Sequence, residues 1–253
     1  MELMNMTWKE IEKLPKDTVF FITLSPLEAH GPHLPVATDF LIAKEIEEKA
    51  IEKLNKEGIN AVSLLSLPIG VCHYLKDFPG TISISSKTLS NLLSDIFQSM
   101  IDFGYKNFIV CNFHMDLEHL KGIHSAIKKF KNKANICEPL SAYYYRGELF
   151  EKLEGEVHAD KKETSLALFL FPKLVKNYDI EACKIKINLL NAFKSFKEIG
   201  ATMAYIGSPA EANVEYGKKL FDLMVEKIVE ASKMLKEGKC IDLPLKIKLI
   251  LKI

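Results

Sequence analysis

The chain is 253 residues long, 48% hydrophobic and 26% charged, which is enough apolar material for a sizeable core and too much for disorder. Its 34 Lys and Arg stand against 33 Asp and Glu, a formal net charge of +1. A nucleic-acid binder that works by phosphate neutralisation needs a clear basic excess or patch, so the balance argues against that class. Arg146 is the only arginine, which leaves one place at most for a planar bidentate clamp on phosphate or carboxylate. Five cysteines, at 72, 111, 137, 183 and 240, are odd in number, scattered and without a C-x-x-C pair. That spacing argues against a disulfide framework or zinc ribbon and for small buried hydrophobes in a reducing compartment. Residues 1–17 mix Glu and Lys with no long apolar run, and no stretch reaches membrane-span length. The expected location is therefore cytoplasmic.

Strand-like and helix-like segments alternate. Residues 18–25 are a nearly continuous apolar run of the kind buried on both faces of a sheet. Residues 38–56 follow as a helix with Ile42, Ile46, Ala50 and Ile51 on one face and Thr38 or Asp39 as its cap. A strand at 61–67, a helix at 86–103 closed by Gly104, a strand at 107–112, a helix at 117–130 and a strand at 134–138 come next. Helices at about 161–169 and 209–236 complete the pattern, and the tail from 243 reads as an edge strand or packed tail. Alternation with short connections predicts a three-layer αβα fold with a mostly parallel central sheet. No linker or composition shift divides the chain, so residues 1–253 are expected to form a single domain.

Open α/β sheets place ligands beyond the carboxyl ends of their strands, and polar residues cluster at those ends here. After the first strand come Glu28, His30, Gly31, His33 and, past two prolines, Thr38 and Asp39. Glu28 and His30 are two apart and point to one side of an extended segment. After the third strand come Asn112, His114 and Asp116, and a third cluster holds His158, Asp160, Glu163, Thr164 and Ser165. Carboxylates with imidazoles suit Zn, Mn or Fe. Five or six such ligands exceed one structural zinc and suit two metals roughly 3.5–4 Å apart. His33, His73, His119 and His124 lack a comparable grouping; His119 and His124 read as helix-surface residues, and Asp160 as a helix cap. Neither G-x-G-x-x-G nor a P-loop is present, which speaks against a nucleotide-binding α/β protein.

Taken in order, these clusters resemble the motifs of the creatininase (creatinine amidohydrolase) family. The first matches at Glu28, His30, Gly31, His33, Leu34, Pro35, Thr38 and Asp39, and the second at Phe78, Pro79, Gly80 and Thr81. The third matches at Asn112 and His114, the fourth at His158, Ala159, Glu163, Thr164 and Ser165, and a weaker late match is Gly207-Ser208-Pro209. The resemblance implies a metal-dependent hydrolase of a cyclic or linear amide with two divalent ions (Zn, Mn or Fe), often a homo-oligomer and in places a hexamer. It implies that Glu28, Asp39 and His114 hold one ion, with Asp39 bridging. His30 and an acid, either Asp116 or Glu163, hold the other, and His158 stabilises the oxyanion or carries the proton to the leaving nitrogen.

The chain departs from the motifs at Phe113, Met115, Asp116, Leu117 and Asp160, and Trp8 is its only tryptophan. An aromatic wall would have to come from Tyr143, Tyr144 or Tyr145, which points away from creatinine as the substrate. Two alternatives stand beside this reading. One is a formamide hydrolase acting on a formylamino-pyrimidine nucleotide of riboflavin or deazaflavin biosynthesis, with Lys76, Lys161, Lys162 and Arg146 available for its phosphate. The other is a metal-binding scaffold without catalysis.

Overall fold

The computed structural model describes residues 1–150, 155–187, 191 and 194–253. Val-Phe-Phe-Ile-Thr-Leu forms β1 (Val19–Leu24), and all six side chains are buried. Because side chains alternate along a strand, Val19 and Phe21 enter one core while Phe20, Ile22 and Leu24 enter another on the opposite face. Each fully buried Phe or Ile in that strand contributes about 1.5–3 kcal/mol through burial alone. The remaining strands are β2 (Ala61–Leu67), β3 (Asn107–Cys111) and β4 (Asn135–Cys137). They line up in the order β2-β1-β3-β4, all parallel. The first crossover leads from β1 outward to β2, and the next returns past β1 to β3. The order therefore reverses beside β1, and the crevice at the carboxyl ends of β1 and β3 is where such a sheet binds its ligand.

Helices cover both faces. On one side lie α2 (Thr38–Lys56), α5 (Pro139–Arg146), α6 (Lys161–Leu170) and α7 (Val214–Lys236); on the other lie α3 (Ser86–Asp102) and α4 (Leu117–Phe130). The expected three-layer α/β architecture is what forms. A short α1 (Trp8–Glu12) precedes the sheet, and Trp8 is exposed on it. Ser85 caps α3 by accepting from Thr88 N, and Gly104 closes that helix with φ +88°. Gly217 lets α7 cross close to α6, since a Cβ there would sit 1.9 Å from Ser165 O. No helix among the described residues is long and apolar enough to cross a membrane.

Three expectations need correction. Of the two readings of the tail, the packed tail holds and the edge strand does not: it forms a helix, α8 (Leu245–Leu251). Leu243, Ile247 and Leu251 recur every fourth residue and pack on Leu117 and Leu120 of α4, so helical spacing wins over the Lys–Ile alternation. Residues 209–236 are not one helix: Pro209–Glu211 is a 3₁₀ turn, and Asn213 then caps α7 by accepting from Tyr216 N. Nor are all connections short. The stretch 68–85 and the described residues of 171–213 carry little regular structure, and both supply walls for the crevice. Of the cysteines, 72, 111 and 137 are buried, whereas Cys183 is half-buried and Cys240 exposed.

Candidate metal centre

The loop leaving β1 folds back on itself. Glu28 N donates to Val36 O at 2.9 Å, Gly31 turns with φ +63°, and Thr38 Oγ1 donates to Pro35 O at 2.6 Å. These bonds bring the first turn of α2 against the strand exit. The N-cap of α2 is Ala37, which makes no side-chain cap bond. Neither Thr38 nor Asp39 caps the helix, and the Asp39 carboxylate is turned into the crevice instead. Its Oδ1 lies 3.1 Å from His30 Nε2 and its Oδ2 2.9 Å from His114 Nδ1. Glu28 Oε1 is 3.1 Å from the same His114 nitrogen, and Glu163 Oε2 is 3.7 Å from His30 Nε2. His158 Nδ1 faces Glu28 at 3.8 Å and Glu163 at 3.9 Å. Six sequence-predicted residues from four stretches of the chain thus converge, all but Glu163 no more than 8% exposed.

The imidazoles fix what this cluster requires. His30 Nδ1 pairs with Glu28 O at 3.0 Å, His114 Nε2 with Val71 O at 2.9 Å, and His158 Nε2 with Ala29 O at 2.9 Å. A backbone carbonyl only accepts, so each of these ring nitrogens carries the proton. The other nitrogen of each ring then presents a lone pair inward, toward carboxylate oxygens that also carry only lone pairs. Acceptors facing acceptors at about 3–4 Å in a buried site need a positive charge between them. Outer N–H to carbonyl, inner lone pair to the centre is the arrangement of metal-ligating histidines. The donor set fits a divalent cation.

Without an ion, protons meet that need. Burial opposes a charge on His30, but Asp39, Glu163 and Glu28 outweigh it and lift the ring to about 10. Burial would raise Asp39, yet His30 and His114 hold it well below the usual carboxylate range. Glu163 is pushed up to about 8, chiefly by burial. His158 is held low by burial and by His30 beside it, 4.3 Å between ring centres.

Asp116 stands apart from this convergence. Its oxygens accept from His73 N at 2.7 Å and from Glu118 N at 2.8 Å, capping α4. Asp160 caps α6 as expected, accepting from Lys162 N and Glu163 N, and Ala159 N donates to Glu163 Oε2 at 2.6 Å. His119 and His124 are not surface residues. His119 is fully buried, accepts from Val71 N and packs its ring against His114 at 5.1 Å; His124 is buried beside Ser141 and Glu138. His33 is buried too, with Nε2 3.0 Å from Thr164 Oγ1. Cys72, unremarked in the sequence, lies close enough to Glu28 and His114 to form a three-ligand group with them. No local pattern could have announced it, because its position depends on the 68–85 connection.

The cluster opens into a cavity of about 420 Å³. Its floor carries Glu28, Asp39, His114, His158 and Glu163, and its walls include Phe113, Tyr144, Tyr145 and Phe196. Tyr144 and Tyr145 thus stand where an aromatic wall was expected, while Tyr143 lies in the core beneath. Of the cations considered from sequence, Lys162 lines the cavity; Lys161 pairs with Glu211, and Arg146 donates to Asp242 O.

An α/β sheet with carboxylates and inward-turned imidazoles at its switch point defines a metal-dependent hydrolase. The model of the family described as Creatininase, creatinine amidohydrolase, matches residues 4–232, and the chain belongs to that family. It is an enzyme of that class, an amidohydrolase. A 3-dehydro-scyllo-inosose hydrolase of Thermotoga maritima is 28% identical over 180 residues, 67% of this chain and 56% of that protein. The creatinine amidohydrolase of Pseudomonas putida is 26% identical over 194 residues, 67% of this chain and 72% of that one. A mycofactocin precursor peptide peptidase of Mycobacterium ulcerans is 26% identical over 216 residues, 82% of each. A solved manganese creatininase shares the fold with a TM-score of 0.74 at 22% identity, covering 93% of this chain and 97% of that one.

Proposed function

We propose that the protein hydrolyses a C–N bond other than an ordinary peptide bond, in a cyclic or linear amide, using two divalent ions that share Asp39. One ion would be held by Glu28, Asp39 and His114, the other by His30, Asp39 and Glu163. The observation that carries this reading is the splayed Asp39 carboxylate, whose two oxygens reach imidazoles of two different sets. Glu163 fits the second set better than Asp116 because its Oε2 lies 3.7 Å from His30 Nε2 and groups with His30 and Asp39, whereas Asp116 shares no such group and caps α4. Nitrogen and oxygen donors suit Zn, Mn and Fe(II) alike. When bound, the pair supplies an acidified water and an electrophile for the amide oxygen.

The chain's own residues do the rest. Phe113, Tyr144, Tyr145 and Phe196 cover apolar parts of the substrate and exclude bulk water. His158 lines the same cavity with Nε2–H tied to Ala29 O, so the atom it offers is the unprotonated Nδ1. That geometry favours proton transfer over oxyanion donation: Nδ1 accepts a proton and delivers it to the departing nitrogen. The bond from Nε2–H to Ala29 O keeps His158 oriented, and Ala159 N holds the Glu163 carboxylate beside it. Elemental analysis alongside turnover on a panel of lactams, linear amides and formamides tests the proposal. Metal-free protein, or metal with no turnover across the panel, would count against it.

A second reading has one observation in its favour. Lys162 and Lys194 both line the cavity, and cations there suit a phosphorylated substrate such as a formylamino-pyrimidine nucleotide. Release of formate from that substrate, with creatine absent from a creatinine incubation, would select it. The scaffold alternative gives way, because family membership makes the chain an enzyme. A homo-oligomer, with a hexamer as the form the resemblance implies, would cover apolar side chains such as the exposed Trp8, Leu245 and Leu249; sedimentation measures it.

A further inference from the structure

On the side of α4 away from the metal centre, the segment that follows α7 passes the end of β4. Cys137 is the last residue of β4, and Cys240 lies on the passing segment. Cys137 Sγ lies 3.3 Å from Ile241 O, and Cys240 Sγ lies 3.7 Å from Ile136 O. Each sulfur thus lies beside the carbonyl of the residue adjoining the other cysteine, and each thiol acts on the titration of the other. Cys137 is 2% exposed, whereas Cys240 is open to solvent. Both line a second cavity of about 380 Å³, which also carries Lys128, Lys131 and Lys248. The remaining buried thiols show nothing comparable: Cys111 faces Ala43 O and Cys72 faces Leu27 O.

We propose that Cys240 and Cys137 are a dithiol that exchanges with small-molecule disulfides and closes into a bond tying the C-terminal segment to β4. Cys240, the accessible member, attacks one sulfur of the oxidant as its thiolate. A mixed disulfide forms and one thiol leaves. The Cys137 sulfur then attacks the Cys240 sulfur, and the second thiol leaves. Two electrons and two protons pass from the cysteines to the oxidant, which is recovered as two thiols. The order of attack follows exposure, and the neighbouring Cys137 thiol lowers the Cys240 thiol in the same sense. The second cavity gives one tripeptide half of an oxidant such as glutathione disulfide room to approach, and Lys128 and Lys131 attract its carboxylates, Lys248 being paired with Asp242. Closure anchors the root of α8, whose Ile247 and Ile250 form part of the wall of the metal-centre cavity.

The test is incubation of the full native chain with glutathione disulfide, followed by thiol counting, peptide mapping without reductant and thermal unfolding. Two thiols per chain should disappear, with residues 137 and 240 in one linked peptide. The midpoint should rise by roughly 5–10 °C, because the bond closes a long loop, and dithiothreitol should reverse the rise. Cys137→Ser should stop at a glutathione adduct on Cys240, and Cys240→Ser should leave Cys137 reduced. Unlinked 137 and 240 peptides after incubation, linkage of Cys240 to another partner, or closure that survives Cys240→Ser would overturn the proposal.

Discussion

Two buried carboxylates two turns apart on α2 have opposite surroundings. Asp39, 2% exposed, faces inward-turned ring nitrogens of His30 and His114 and shares His114 with Glu28. Glu47, fully buried, faces donors: the Thr23 hydroxyl bonds to it, Ser63 does the same, and Lys44 Nζ lies 3.6 Å away. Both acids have lost water, and only Glu47 has side-chain donors and a lysine in its place. A buried acid beside hydroxyls and an ammonium has its charge answered within the chain and is structural, even though Glu47 Oε1 itself accepts no hydrogen bond. One among lone pairs is incomplete, and the deficit marks where a cation belongs.

The largest expected effect breaks that contrast directly. Asp39→Asn should remove bound metal, as read by elemental analysis, and lower turnover by about a hundredfold or more, since even outer partners of metal sites are worth 10–100-fold. Glu47→Gln should keep the metal and most of the activity. If both variants lose metal alike, position along α2 rather than local donors decides, and the contrast fails. Next in size is Gly217→Ala, which sets a methyl against Ser165 O at a separation of 1.9 Å. It should cost about 1–3 kcal/mol or more in urea unfolding and loosen α6, the helix that carries Glu163.

Smaller effects sharpen the comparison at the second ion. Glu163→Gln should weaken metal binding in competition with a chelator. Asp116→Ala should leave it intact and cost about 0.5–2 kcal/mol of stability through the α4 cap. The reverse pattern would restore Asp116 as the ligand. The smallest effect is the pH dependence of Glu47. Burial raises its pKa in the folded protein, so the native state holds the proton more tightly than the unfolded chain does. The stability this contributes is full below the ordinary glutamate value and is lost as pH rises toward the folded value. Melting curves between pH 4.5 and 8 should therefore drift in favour of Glu47→Gln relative to the natural chain.

Much of this was legible in order along the chain. The six buried residues of β1 announce a strand covered on both faces, and Glu28, His30 and Asp39 sit together because a short loop with Gly31 returns on itself. What was not legible depends on distant partners. His119 looks like a surface histidine until Val71, 48 residues earlier, donates to its ring. Asp116 and Glu163 are both acids beside a histidine in sequence; only the folded chain shows one spent on capping α4 and the other turned to His30. The tail misled because Lys–Ile alternation and four-residue spacing coexist there, and only docking against α4 chooses between them.

The anchors of the three imidazoles are main-chain oxygens, of Glu28, Val71 and Ala29. Replacing the side chain at position 29 or 71 leaves the oxygen in place, so the aim of each ring is inherited from the path of the polypeptide. A pocket oriented in this way is ready before its occupant arrives, and ions of somewhat different radius would meet the same fixed directions of approach.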